Sequence, residues 1–257
     1  MKQLLGCLLL FAAIAGGSAR ADILLSNFSP AYTQNFNTLA STGTSTIVPF
    51  GWRFTEIGGN TTYAAGNGSA NQANTYSFGT TGSPDRAFGE ITSGGLTSII
   101  GARFTNDGTA SISFLTVTYT GEQWRVGGNN SAGDKLDFQI STDATSLTTG
   151  TWFDVNVLDF VGPVSSPNNS AINGNLAANR VNLASGKFAL PSSVAPGTSF
   201  WIRWTSSDVP SQDHGLAVDD FSIQAVPASI PAGLTGALVG LVALFAVRKR
   251  NAELIAE

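Results

Sequence analysis

Thiols are almost missing from this sequence. The only cysteine among 257 residues is Cys7. Leu4-Leu5-Gly6-Cys7 mimics a lipoprotein cleavage box, but it precedes most of the first apolar run and reads as filler. Beyond residue 7 neither disulfides nor thiolate metal sites can hold the chain, so stability must come from a packed core, helped at most by a bound ion. Histidine is as scarce, with His214 alone. A zinc site built on two histidines is therefore excluded. No G-x-S-x-G elbow supplies a nucleophile, so no Ser-His-Asp set assembles, and His214 reads as a turn residue before the last strand. Charge is thin at 12% of residues. Between Asp22 and Val226, 8 Lys+Arg stand against 15 Asp+Glu, a net charge of −7. Such a surface has no electrostatic grip on phosphate backbones, which argues against a nucleic-acid partner.

What is abundant is glycine, 29 residues, with Ser, Thr and Asn throughout. That composition disfavours long helices and fits short strands joined by turns. The apolar residues that run together lie at the two ends. Lys2, the run Leu4 to Ile14 and Ala19-Arg20-Ala21 form a signal-peptide pattern with cleavage after Ala21. From Pro231 to Val247 no charge occurs, a span near the lower limit for one transmembrane helix. Gly236 and Gly240 make a G-x-x-x-G pair within it. Arg248-Lys249-Arg250 follows, and basic clusters stay on the cytoplasmic side. The expected organisation is a signal peptide (1–21), an ectodomain (22–226), a sorting motif with membrane helix and basic cluster (227–250), and a short cytoplasmic tail (251–257). The expected location is the cell surface, with the membrane as partner through the C-terminal helix.

Within the ectodomain the period is two. Leu136, Phe138 and Ile140 share a face, as do Phe200, Ile202 and Trp204, with Trp201 and Arg203 opposite. Ile112 and Phe114 alternate, then Val117 and Tyr119 do so out of step, which predicts a bulge near Leu115. Further strands are expected at residues 75–78, 98–104, 122–126, 152–159 and 215–225. Turns separate them at Gly66-Asn67-Gly68, at 127–130 and at Ser206-Ser207-Asp208. No repeat has a fixed period, and nothing before Pro231 reads as a helix. The fold class is all-β, a jelly-roll or concanavalin-like β-sandwich.

Three candidate sites follow from residue chemistry. Adjacent strand residues point to opposite faces, so one carboxylate of Asp219-Asp220 faces the core unless a bulge re-aims it. A buried carboxylate needs a cation or several donors. Structural Ca²⁺ is the hard-ion candidate and Arg203 the competing partner; a hydrogen-bonded Asp tying the last strand to a loop is the third reading. Trp124 with Arg125, and Trp201 with Arg203, are candidate ligand-binding groups, because exposed aromatics with polar neighbours can serve as sugar platforms. Burial is the commoner fate of tryptophan.

The C-terminus resembles the bacterial PEP-CTERM surface-protein class in Val226-Pro227, Ile230-Pro231-Ala232-Gly233, the apolar run and Arg248-Lys249-Arg250. It departs from the usual Val-Pro-Glu-Pro signature, since Ala228-Ser229 follows Val226-Pro227. The resemblance implies a membrane-embedded processing enzyme of the exosortase type as partner; an ordinary single-pass anchor is the alternative. The body is similar to a family of exported bacterial jelly-roll domains, through Asn35-Phe36-Asn37-Thr38-Leu39, residues 62–66, Tyr119 to Arg125, residues 141–144 and Gly215 to Ile223. That family implies a fold and a location more than an activity. The sequence therefore points to a non-enzymatic surface protein with a structural, adhesive or matrix role. The alternatives are a displayed carbohydrate-binding module, with an extracellular polysaccharide as partner, and last a secreted hydrolase.

Overall fold

The computed structural model describes residues 22–128 and 133–228. The signal peptide, the membrane helix, Ile230, Pro231 and Arg248-Lys249-Arg250 lie outside the described residues. The first strands are β1 (Ile23–Leu25), β2 (Tyr32–Gln34), β3 (Thr44–Ser45), β4 (Trp52–Ile57), β5 (Tyr63–Gly66) and β6 (Asn74–Phe78). Then come β7 (Ala87–Ile91), β8 (Thr97–Asn106), β9 (Ile112–Val126), β10 (Lys135–Ser141) and β11 (Phe153–Asp154). The last are β12 (Phe160–Val161), β13 (Ser170–Ala171), β14 (Arg180–Val194), β15 (Ser199–Thr205) and β16 (Gly215–Ala225). The other regular structure among the described residues is two short 3₁₀ turns, at Asn156–Leu158 and Ala177–Asn179.

The strands form a two-sheet β-sandwich. One sheet runs β1-β8-β15-β10-β11, with β4 beside β8 and β12 beside β10. The other runs β13-β9-β16-β7-β6-β5-β3, with β14 on β9 and β2 on β16. The long strands β8, β9 and β10, and again β14, β15 and β16, alternate between the sheets, as in a jelly roll. The expected faces are found: Leu136, Phe138, Ile140, Phe200, Ile202 and Trp204 all enter the main core. There Trp204 stacks on Trp52, centroids 5.9 Å apart, while Phe221 meets both rings edge-on at 5.6 and 5.4 Å. Phe36, from the Asn-Phe-Asn motif, takes φ +54° to put its ring 4.6 Å from that of Trp52. Left-handed backbone costs a bulky residue about 1–2 kcal/mol, and the burial of a whole Phe side chain offsets it.

Three expectations about strands are refined. The predicted bulge lies just before Leu115: pairing with β14 shifts between Ile112 and Phe114, so Ile112 and Leu115 both face the core. Residues 122–126 do not form a separate strand but continue β9 through Gly121. A Cβ on Gly121 would lie 2.3 Å from the Phe160 ring, so this glycine marks a close crossing of the two sheets rather than a turn. The stretch 152–159 is not one strand. After Asp154 it tightens into the 3₁₀ turn, because the three-residue step from Val155 to Leu158 fits a turn that drops Leu158 into the core.

Edge strand β14 is mostly exposed and twice shifted in register, between Ala184 and Lys187 and between Ala189 and Val194. Such irregularity discourages edge-to-edge pairing. At the C-terminal end, β16 closes with Val226 N donating to Phe114 O at 2.9 Å and Lys187 Nζ to Pro227 O at 3.1 Å.

Candidate ligand groove

The side chains that β4, β8, β15 and β10 do not give to the core form the outer face of the first sheet. Their register sets rows across it. Arg53 pairs with Gly101, Gly101 with Arg203, Arg203 with Gln139, and Gln139 with Asp154. One rung along, Arg103 pairs with Trp201 and Trp201 with Ser141. Gly101 is required in the middle of the first row. A Cβ there would lie 2.2 Å from Ile202 O and 2.7 Å from Leu147 Cδ2.

Leu147 belongs to the loop 142–152, which folds back over this face. Leu147, Ile99 and Trp201 make a small second-layer cluster with Ala144 and Trp152 packed against it. Side chains brace the loop from within. Asp143 Oδ1 accepts from Ser141 Oγ and Thr151 N, each at 2.8 Å, and the Thr151 amide in particular holds this carboxyl below its usual range. Arg203 braces it from beneath, with Nη1 donating to Leu147 O at 2.6 Å and Cζ 4.0 Å over the Trp152 ring.

Between the loop and β4 lies a cavity of about 280 Å³ lined by Arg53, Thr55, Arg103, Thr145, Ser146 and Trp201, among others. The guanidinium of Arg53 sits 4.7 Å over the Trp201 ring and that of Arg103 5.8 Å from it. Asp22 bridges the two arginines, 3.8 Å from Arg53 Nη2 and 3.3 Å from Arg103 Nε, and accepts from Thr105 Oγ1 at 2.7 Å. Trp201 is only 3% exposed, and its Nε1 hydrogen has no partner among the described residues. A buried donor left unpaired costs about 1–3 kcal/mol. A second cavity, about 320 Å³, opens on the same sheet beside Lys135, Asp137, Gln139, Asp154 and Thr205. It mixes donors and acceptors, and Lys135 Nζ already lies 2.7 Å from Asp137 and 2.6 Å from Asp159.

The structure separates the expected site residues. Trp201 lines the groove, and Arg203 lies on the same strand beneath the loop that walls it. Trp124 and Arg125 lie on the other sheet. Trp124 is 1% exposed, stacks 6.1 Å from Phe78 and donates Nε1 to Glu122 at 3.0 Å. Gly174 covers it so closely that a Cβ would fall 2.4 Å from Nε1. Its ring therefore presents no open stacking face. Arg125 is buried, donating to Gly68 O at 3.1 Å and so pinning the 66–69 turn.

Asp219 and Asp220 sit at a bulge, with pairing shifted between Asp219 and Ser222 and Asp220 at φ +47°. The bulge spares the core a carboxylate: Val218 and Phe221 point inward, Asp219 is buried on the far side of β16, and Asp220 is exposed. Arg203 belongs to the opposite sheet and bonds elsewhere, so it is not the partner of Asp219. Burial pushes the Asp219 carboxyl up to about 8 and that of nearby Glu122 up to about 7. Among the described residues no group of three potential metal ligands is gathered.

A third set of acids had no signal in the sequence. Glu90 on β7, Asp134 just before β10 and Asp213 just before β16 are all buried, and Asp134 and Asp213 lie near enough to act electrostatically on Glu90 without forming a ligand cluster. Burial raises Glu90 to about 8, Asp134 to about 7 and Asp213 to about 6. Hydroxyl and amide donors soften this: Ser206 Oγ donates to Glu90, and His214 N to Asp134 at 2.5 Å. His214 accepts from Gly127 N at 2.8 Å through Nδ1, and burial lowers its pKa.

The chain matches no protein-family model and no curated protein. It is similar to several solved β-sandwich domains. One is a cleaved adhesin domain of Lys-gingipain from Porphyromonas gingivalis, 11% identical with TM-score 0.41, over 77% of this chain and 100% of that one. Another is the xylan-binding CBM22-1 domain of Paenibacillus barcinonensis Xyn10C, 13% identical with TM-score 0.35, over 77% and 95%. A third is a CBM28 carbohydrate-binding module specific for non-crystalline cellulose, 8% identical with TM-score 0.34, over 70% and 90%. At such distances the likenesses carry no argument about the groove, which stands on its own geometry.

Proposed function

We propose that this domain binds an extracellular polysaccharide, and that the groove between β4, β8, β15 and the 142–152 loop is where it does so. One observation carries the reading: two guanidiniums, of Arg53 and Arg103, are gathered over the Trp201 ring, and all three residues line one cavity. Ligand sites are typically clefts with a few convergent polar groups, and this one is shaped by a loop braced against a rigid sheet. The reading is of binding without catalysis. Glycoside hydrolysis uses a carboxylate pair across the scissile bond, and the described lining of the groove includes none.

On the same proposal the domain works outside the cell. The signal-peptide pattern, the apolar run 231–247 and Arg248-Lys249-Arg250 support export with C-terminal anchoring, and the variant Pro-containing motif supports exosortase-type processing. Mass spectrometry of the protein from its native envelope tests this part; a mature chain still beginning at Met1 would overturn export. For binding, affinity electrophoresis through gels containing a panel of polysaccharides is the test. Retardation by at least one polymer, weakened in Trp201→Phe without loss of the thermal midpoint, is expected. Equal mobility in every gel would end the carbohydrate reading.

A further inference from the structure

The groove has a one-sided hydrogen-bonding character. Arg53 and Arg103 are donors only, and so is the Trp201 indole. Thr55, Thr145 and Ser146 offer hydroxyls that adapt to either role. No carboxylate is found among the described residues that line the cavity. A neutral sugar hydroxyl both donates and accepts, so a site for it profits from fixed acceptors. A carboxylate or a sulfate only accepts, and a guanidinium fork matches it in shape.

Asp22 adds to this. It offers one negative charge between two guanidiniums, at 3.8 and 3.3 Å. Charge-assisted N–H···O bonds at full strength are about 2.7–2.9 Å, so Asp22 holds the pair loosely, and the three groups together carry a net positive charge. That local surplus lies on a domain whose net charge is −7. Screening confines the unfavourable field of the remaining surface to about 8 Å at physiological salt, so contact in the groove decides. The Trp201 ring lies under both guanidiniums, at 4.7 and 5.8 Å, and its π-face attracts them.

We propose that the groove selects an acidic glycan, its carboxylate or sulfate taken by Arg103 and Arg53, with Asp22 as the internal counter-ion that the ligand competes with. This inference deepens the carbohydrate reading and rests on it. The two sources of anion are separated by the choice of probes. Immobilised polygalacturonate is compared with its fully methyl-esterified form, and a sulfated galactan with its desulfated form. Each pair keeps the backbone and removes the charge. Wild type should bind the charged member of at least one pair roughly tenfold or more tightly than the neutral member, as expected for a charge-assisted contact. Which pair responds identifies carboxylate or sulfate. Arg103→Gln should abolish that ratio, whereas Asp22→Asn should increase it. A merely structural role for Asp22 would not produce tighter binding. Should Arg103→Gln fail to fold, the wild-type comparison and Asp22→Asn still decide. Equal binding of charged and neutral members would overturn the acidic-glycan inference while leaving carbohydrate binding in place. Absence of binding to these probes and to a broad neutral panel would overturn both.

Discussion

The guanidinium of Arg203 lies 4.0 Å over the ring of Trp152, and its Nη1 donates to Leu147 O at 2.6 Å. These two contacts fasten the 142–152 loop to a strand that Arg203 itself belongs to. The loop is one wall of the groove, so the shape of the site depends on a residue that does not line it.

Arg203→Ala should release that wall. Loss of a cation–π contact and a charge-assisted hydrogen bond is expected to cost about 1–3 kcal/mol. Amide exchange should accelerate for residues 144–152 and stay unchanged in β9 and β16. If exchange in the loop were the same as in wild type, the bracing role would be wrong. Arg203→Lys keeps the charge but not the planar fork, and should recover only part of the protection.

Stability should fall as pH rises through neutrality. Glu90, Glu122 and Asp219 have folded-state values pushed by burial to about 8, 7 and 8. Acids raised in the folded state bind protons there that the unfolded chain has already released. The penalty therefore begins near the ordinary carboxylate values of about 4 and grows until about pH 8. Denaturant midpoints should be higher at pH 5 than at pH 8.5, and Glu90→Gln should narrow the gap. A midpoint that is flat or rising across this window would contradict the protonation of these groups.

Gly174→Ala should destabilise the second sheet without touching the groove. The new Cβ would meet Trp124 Nε1 at 2.4 Å, an overpacking expected to cost about 1–3 kcal/mol. Glycan affinity of the folded variant should equal that of wild type. A selective loss of binding would return Trp124 to the ligand site.

How much of the fold and the groove was legible in the sequence varies by scale. The alternation in residues 135–140 and 199–205 assigned the faces of β10 and β15 correctly, because half-buried strands impose a period of two on any sequence. The same alternation put Trp201 and Arg203 outward. Arg53 and Arg103 also alternate with core residues, Trp52 and Phe54 on one strand, Ala102 and Phe104 on the other. Nothing local, however, says that Arg103 stands beside Trp201 or that Gly101 leaves room for Leu147. Trp124 shows the converse, a tryptophan among polar residues that resembles a platform until Gly174 closes over it.

The residue pattern by itself determined an all-β chain, its strand faces, the bulge near Leu115 and the dependence on packing rather than on thiols. These are consequences of composition and short-range periodicity. The tertiary structure alone decided which strands lie side by side, and so which outward side chains meet. The rows Arg53–Gly101–Arg203–Gln139 and Arg103–Trp201–Ser141 join segments from widely separated parts of the chain. Strand register is set by the packing of the whole inner face, and a local reading of the chain cannot sum that packing.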